Sequence, residues 1–405
     1  MQKITVFIIV LAAVVTSFGF CDVNCRADEQ ITITDDGAWC WFQDERAVVY
    51  DKKNKMTVAS ITGKGDVRVT NFDFVTGTLK TIVLHEKFIG DDHNVPGILI
   101  RDDGHLTIFY TKHHDDNLMR YRVSTEPYDG TSWQPEQTYH ANIKDDKFTY
   151  ANPFQLSGEQ GKIYNFWRGI DRSPIYAVSE DNCKTWSDGK KIIYYRKDHW
   201  PYVKYTTNHT DTIHFAFTDS HPVQSVSSLY HAYYKAGKLY TSDGSFIRNL
   251  ADCPIAPSEA TRIYDGVNSP TGRAWVWDIH LDPSGSPIIA YTSHLDSNDH
   301  RYRWAHWSKK AGRWVDRQIA YAGTRLYAKE AYYSGGIAID PDNINVVYIS
   351  SDVNIRDGSP TVGGRYEIYK GQTSDGGTTW TWQPITSNST EDNLRPIVPA
   401  NHPGQ

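Results

Sequence analysis

The strongest constraint on the fold is a recurrence. From Arg46 onward the chain repeats one pattern: an apolar strand, an Asn/Asp/Gly turn, a second strand, a polar loop and a third strand. The second strands are the clearest, at residues 56–61, 106–110, 162–167, 212–217, 287–292 and 346–350. They return at intervals of about 50 to 70 residues, close to the blade period of a propeller. Turn signals such as Asp102-Asp103-Gly104, Ala236-Gly237-Lys238, Asp282-Pro283-Ser284-Gly285 and Asp340-Pro341-Asp342-Asn343 punctuate the pattern. No stretch carries the periodicity of an amphipathic helix. The expectation is an all-β chain, a β-propeller of antiparallel strands. Six blades can be counted directly. The long, less regular region 241–273 is expected to hold a seventh or to form a loop over the cleft.

Two segments add a local signature. Residues 373–380, TSDGGTTW, fit the Asp-box pattern S/T-x-D-x-G-x-T-W of sialidase-like propellers. Residues 179–186, SEDNCKTW, fit it except that Cys183 stands where Gly is usual. The Asp and Ser/Thr side chains of such a box bond the hairpin backbone, as Asx turns do. The motif speaks for the fold and not for chemistry.

The N-terminus bounds the location. Lys3 precedes an apolar run at residues 4–15, the layout of a signal peptide and too short for a membrane span. Residues 1–27 are read as that signal, with cleavage after Ala27, and residues 28–405 as a single propeller domain with no Pro-, Ser- or Gly-rich linker inside it. The protein is expected to be secreted or periplasmic. A lipid anchor on Cys21 is the weaker alternative, because Phe20 is a poor fit to the small residue such processing prefers. Cys40, Cys183 and Cys253 then remain, so at most one disulfide can form and the fold must stand on its core. The net charge of −6 argues against a nucleic-acid partner.

The chemistry concentrates at strand ends. Residues 90–116, GDDHNVPGILIRDDGHLTIFYTKHHDD, form a hairpin whose two open ends carry Asp91, Asp92, His93 and Asn94 on one side and His113 and His114 on the other. Imidazoles there can hold a carboxylate or move a proton near neutral pH. The next blade repeats the geometry, with Tyr150 before one strand and Arg168 at the end of the next. A guanidinium beside a phenol would lower the phenol pKa and bind an acidic substrate. A third blade offers Tyr202, Lys204 and Tyr205, with His209, His214, His221 and His231 nearby as candidate metal ligands, alone or with Cys253. Arg101, Lys112, Arg120, Arg122, Arg168, Arg172, Arg196, Lys197 and Lys204 crowd the second to fourth blades and predict a basic cleft on an acidic protein. Trp39 to Phe42 and residues 330–336 are further candidates for the cleft lining.

Together the DDHNVPG stretch, the KHH that ends the following strand, the TYANPFQL and IYNFWRG pair and the PYVKY segment resemble the BNR-repeat lyase-like proteins, among them the seven-bladed β-propeller ulvan lyases. The resemblance covers most of the mature chain. It implies seven blades and β-elimination at a uronic acid within a sulfated, rhamnose-containing polysaccharide. Position by position, it implies that His93 and His113 are the histidine pair, with His114 a rival to His113. Tyr150 becomes the catalytic tyrosine and Arg168 the arginine. Tyr205, ahead of Tyr202, becomes a further cleft tyrosine, and Asn94, His114, Tyr202, Lys204 and Tyr205 contact substrate. Arg168 and His93 would neutralise the carboxylate, Tyr150 would move the proton and His113 would orient it. No cofactor is needed for this chemistry. Some relatives hold a structural zinc through His and Cys, for which His221 and His231 are the candidates here. The expected partner is an anionic polysaccharide, and the protein is expected to act as a monomer.

Three other readings stay open on the sequence. The same machinery could act on another uronate, such as rhamnosyl-glucuronate of plant gums. A sialidase-type hydrolase would need an acidic pair in the cleft. A carbohydrate-binding propeller would bind without making product.

Overall fold

The computed structural model describes residues 7–9, 30–144 and 146–403. The proposed signal, its cleavage site and Cys21 therefore lie outside the described residues, save for a strand Phe7–Ile9 that pairs with Gln30–Thr32. Among the described residues there is no α-helix, and no helix is long and apolar enough to cross a membrane.

Six antiparallel sheets follow one another along the chain, at residues 47–85, 97–139, 149–191, 202–264, 273–323 and 337–384. The all-β propeller is as expected, but six blades, not seven, are present among the described residues. Residues 241–273 do not make a blade of their own. They add two strands to the fourth sheet: Phe246–Asn249 extends its outer edge and Thr261–Tyr264 pairs with Leu229–Lys235. The physical reason is where its apolar residues go: Phe246 is exposed, while Ile247, Leu250, Ile255 and Tyr264 pack into cores built by neighbouring blades rather than one of their own.

Both Asp boxes form as read. Thr373 Oγ1 accepts from Gly377 N at 3.0 Å and Thr379 Oγ1 donates to Asp375 at 2.7 Å. In the other box Cys183 N donates to Ser179 at 2.9 Å and Thr185 Oγ1 donates to Asp181 at 2.6 Å. Cys183 has φ 73°, the left-handed conformation that makes Gly usual there. Cys40, Cys183 and Cys253 are free thiols.

The axis is filled by the chain itself. Ala38 bridges Ile61, and the Arg46 carbonyl accepts from Ala59 N, so blade one holds its inner strand at both points. Between them residues 39–45 leave the sheet and cross the centre. Trp41 Nε1 donates to Val276 O of blade five, Asp44 N to Asn152 of blade three, and Lys204 of blade four donates to Trp41 O. Trp41 stacks on Trp277 with centroids 4.0 Å apart, and Phe42 lies 4.8 Å from Tyr202. Burying two large aromatics against three blades is the main apolar gain at the centre.

Among the described residues no strand is shared between the last blade and the first. The tail beyond Pro384 does the joining. Arg395 N donates to Gly335 O, Trp39 Nε1 donates to Arg395 O, and Ile397 packs on the core of blades one and two. Gly336 makes room for it: φ is 117°, and a Cβ would sit 3.0 Å from Arg395 Cα.

Candidate active site

The opening hairpin forms between Gly97–Ile100 and Leu106–Tyr110. Gly97 is needed there because a Cβ would meet Ala151 O at 2.5 Å. Just before it, Asp92–Asn94 makes one 3-10 turn capped by Asp91, whose carboxylate accepts from His93 N. Asn94 is wholly buried. Its Oδ1 accepts from His113 N at 2.6 Å and its Nδ2 donates to Ile89 O at 3.0 Å. It ties the two ends of the hairpin together and has no face for a ligand, which corrects the expectation of a substrate contact.

Asp91 organises the histidines. One of its oxygens takes His93 Nδ1 at 2.7 Å, the other takes His113 Nδ1 at 2.8 Å. The rings stack with centroids 4.0 Å apart at 15°. With Nδ1 fixed, each ring turns Nε2 the other way, and neither Nε2 has a partner among the described residues. Asp92 adds a second carboxylate at 2.8 Å from His93 Nδ1. Burial pulls the His93 pKa down, but bonds and charge from Asp91 and Asp92 outweigh it, and the pKa ends above its ordinary 6.5. For His113 burial prevails over the single bond to Asp91, with His93 and Arg168 pushing the same way, and the pKa falls. Two stacked imidazoles are thus driven apart, one toward the cation and one toward the neutral base. The carboxylates stay ionised. Burial opposes that, but His113 and His93 hold Asp91 well below the carboxylate range, and Arg395 and His93 do so for Asp92.

Tyr150 enters from a β-bulge. Thr149 pairs Arg168 and Asn152 pairs Phe166, so Tyr150 and Ala151 together face the single residue Trp167. Tyr150 takes φ 65°, which a non-glycine adopts only when its surroundings insist. The extra residue swings the ring toward the axis. It lies 5.5 Å from His93 and 5.5 Å from Phe42, with the Arg168 guanidinium 4.7 Å above it. Burial, reinforced by Tyr202, raises the phenol pKa well above 10, and the pull of Arg168 does not offset this.

Arg168 is 7% exposed. Its Nη1 donates to Tyr202 Oη at 2.9 Å and its Nη2 to His114 Nε2 at 3.0 Å, while Nε has no partner. No carboxylate pairs with it among the described residues. Burial, then Arg168, holds the His114 pKa down at about 3, so His114 is a neutral acceptor that aims the guanidinium.

Tyr202, and not Tyr205, shares this site. Residues three apart on a strand point to opposite faces, and Tyr205 turns into the core, 4.7 Å from Phe166. Lys204 does share the Tyr202 face but lies deeper. It is 1% exposed, 2.5 Å from Asp44 and 2.6 Å from Trp41 O, so it cannot meet a substrate. The broad basic cleft also contracts. Arg101 pairs with Asp103, Arg120 with Asp116 and Lys112 with Asp115. Arg168 lies at the centre without a carboxylate among the described residues, and Arg172, stacked over Trp200 at 4.0 Å, adds its charge near His114.

His221 and His231 do not meet. His221 packs 4.5 Å from Trp275 and 5.2 Å from Tyr202 on the far wall of the site. His231 is buried inside blade four with one nitrogen on His214 and the other on Ser242. These residues do not fit a shared zinc. The sequence reading gave no role to Asp91 or Asp92, while the expected cleft segment 330–336 supplies Tyr333, 4.9 Å from Trp275. That reading missed Arg395, which reaches Asp92 at 2.5 Å from the tail. The doubled acid before His93 was the available signal for the carboxylates. Arg395 had none.

Residues 44–322 match the profile of the BNR repeat-containing family. A stretch of 128 residues is 30% identical to the ulvan lyase of Alteromonas sp. (strain LOR), covering 26% of this chain and 24% of that protein. The chain thus matches about a quarter of that relative's length. A solved polysaccharide lyase, the PL25 ulvan lyase, superposes with a TM-score of 0.61 at 18% identity, over 86% of this chain and 84% of that one. The PL25 ulvan lyase bound to -[GlcA(1-4)Rha3S]- gives the same figures. At that identity the likeness is one of fold.

Proposed function

The chain belongs to the BNR repeat-containing family, and from that premise we propose that it is a polysaccharide lyase. It cleaves a uronic-acid-containing polymer, sulfated and ulvan-like, by β-elimination. The observation that carries this reading is Arg168, a buried guanidinium without a carboxylate. An unpaired buried charge is costly. A substrate carboxylate is the partner that would complete it, and the unpartnered Nε2 of His93, whose pKa is raised, faces the same space. The relatives named above point to the same class of substrate, and the apolar run at residues 4–15 supports export from the cytoplasm.

Elimination must acidify the C5 proton beside the carboxylate, remove it, and protonate the departing O4. Arg168 and His93 neutralise the carboxylate and stabilise the charge that develops on it. The separated pKa values divide the remaining work. His113, neutral with a free Nε2, takes the C5 proton. Tyr150, with its pKa raised, keeps its proton and gives it to O4. The resemblance had Tyr150 both take the C5 proton and return it to O4, with His113 orienting Tyr150 or the substrate; here the abstraction passes to His113 and Tyr150 keeps the second step. Asp91 holds both rings by Nδ1 so that each Nε2 is left for substrate.

Incubation with a panel of uronate polysaccharides, ulvan included, tests the proposal. The expected result is new ultraviolet absorbance from the unsaturated uronate end. Reducing ends without that absorbance would mean hydrolysis. Binding without either would mean a carbohydrate-binding propeller.

A further inference from the structure

Arg395 lies outside the matched region 44–322, on the tail beyond the last blade. It is 3% exposed. Its Nη1 donates to Trp39 O and to Asp92 Oδ2, the latter at 2.5 Å, and its Nη2 donates to Tyr327 Oη at 2.8 Å. The guanidinium also sits 5.4 Å over the Trp41 ring. The other oxygen of Asp92 is the one on His93 Nδ1. A single carboxylate therefore bridges the tail to the histidine of the site. The backbone of Arg395 holds φ 53°, fixed by bonds from Trp39 and to Gly335.

A pin for the fold would need only the carbonyl and the tyrosine. The arrangement does more, because two carboxylates face one imidazole. Asp91 is shared between His93 and His113, and Arg395 takes up the charge of Asp92. Asp91 and Asp92 together favour the imidazolium of His93, and Arg395 offsets part of the Asp92 charge. We infer that Arg395 is a positioning residue for His93: through Asp92 it sets the ring's orientation and tempers its charge, which makes the C-terminal tail part of the catalytic apparatus. The groups that face His93 are Asp91, Asp92, His113 and Tyr150, with Arg395 behind Asp92 and His221 and Arg168 across the site.

The test is the titration of His93, followed by NMR of the imidazole carbons in the intact protein and assigned by comparison with His93→Gln. Removing the arginine charge favours the imidazolium, so Arg395→Gln is expected to raise the His93 pKa by about one unit. Asp92→Asn removes the opposing charge and is expected to lower it. Arg395→Lys keeps the charge and loses the fork, so the titration stays near wild type while kcat falls and KM does not. If Arg395 only held the fold, both of the first two variants would loosen the site and move His93 in the same direction, downward, and the inference would be overturned. Should Arg395→Gln not fold, Arg395→Lys decides: a fall in His93 pKa as large as that in Asp92→Asn overturns it. The catalytic standing of His93 rests on the lyase reading. The titration is read without substrate, so product that never appears beside the expected shifts would sink that reading and leave this one standing.

Discussion

At the scale of single residues, the site is defined by which charges have partners. Arg168 has none of opposite sign, and that implies a trade between activity and stability. Arg168→Met should lower product formation by about a thousandfold, as loss of a charge-stabilising donor does. The same change removes a buried cation and should hold or raise Tm in a calorimetric scan. A large fall in Tm would mean that the guanidinium serves the fold. Asp91 gives a second prediction. The proposed mechanism needs His93 charged and His113 neutral, so the pH–rate profile should be bell-shaped, its acid limb from the lowered pKa and its alkaline limb from the raised one. Asp91→Asn takes a carboxylate from both rings, so both pKa values fall. The alkaline limb should move to lower pH by about one unit, measured as kcat/KM against pH. A shift the other way would break the assignment.

At the scale of strands and loops, two alternation rules decide what the residues become. His93, His113, Tyr150 and Arg168 were legible because they stand at the open ends of consecutive hairpins, where local sequence fixes geometry. Tyr205 and Lys204 were misread for want of the same rule applied further. The period of two sends Tyr205 to the core, and depth along the axis hands Lys204 to Asp44. The bulge at Tyr150 could not be read at all, since one extra residue on a strand leaves no mark in composition. Lys204 supplies the matching prediction. Lys204→Ala takes the nearer cation from buried Asp44 and leaves it only Arg46, 3.6 Å away, which should cost about 3 kcal/mol in denaturant unfolding. A fall in substrate affinity with stability intact would restore it to the substrate.

For the whole molecule, the recurrence of strands told the fold class but not the closure. Seven blades were expected from the resemblance and six are present among the described residues, because the apolar residues of 241–273 join neighbouring cores and make none of their own. The joint between blade six and blade one is a tail of single contacts, invisible to any periodicity. Asn393 and Ser389 bind Glu367, and Asn401 and His402 bind Asp342. A chain ended after Pro384 should lose at least about 10 °C in Tm, by calorimetry, through the loss of these bonds and of Arg395 together. A truncated chain that melts like the full one would show that the ring closes by itself.

The loop at residues 39–45 has a consequence for any long ligand. It turns the pore of a propeller into a stopped well, with Trp41 and Phe42 as its bottom. A polymer cannot be threaded through the ring as through an eyelet. It must lie across one face like a rope over a pulley, and anything that leaves must depart on the side from which it arrived.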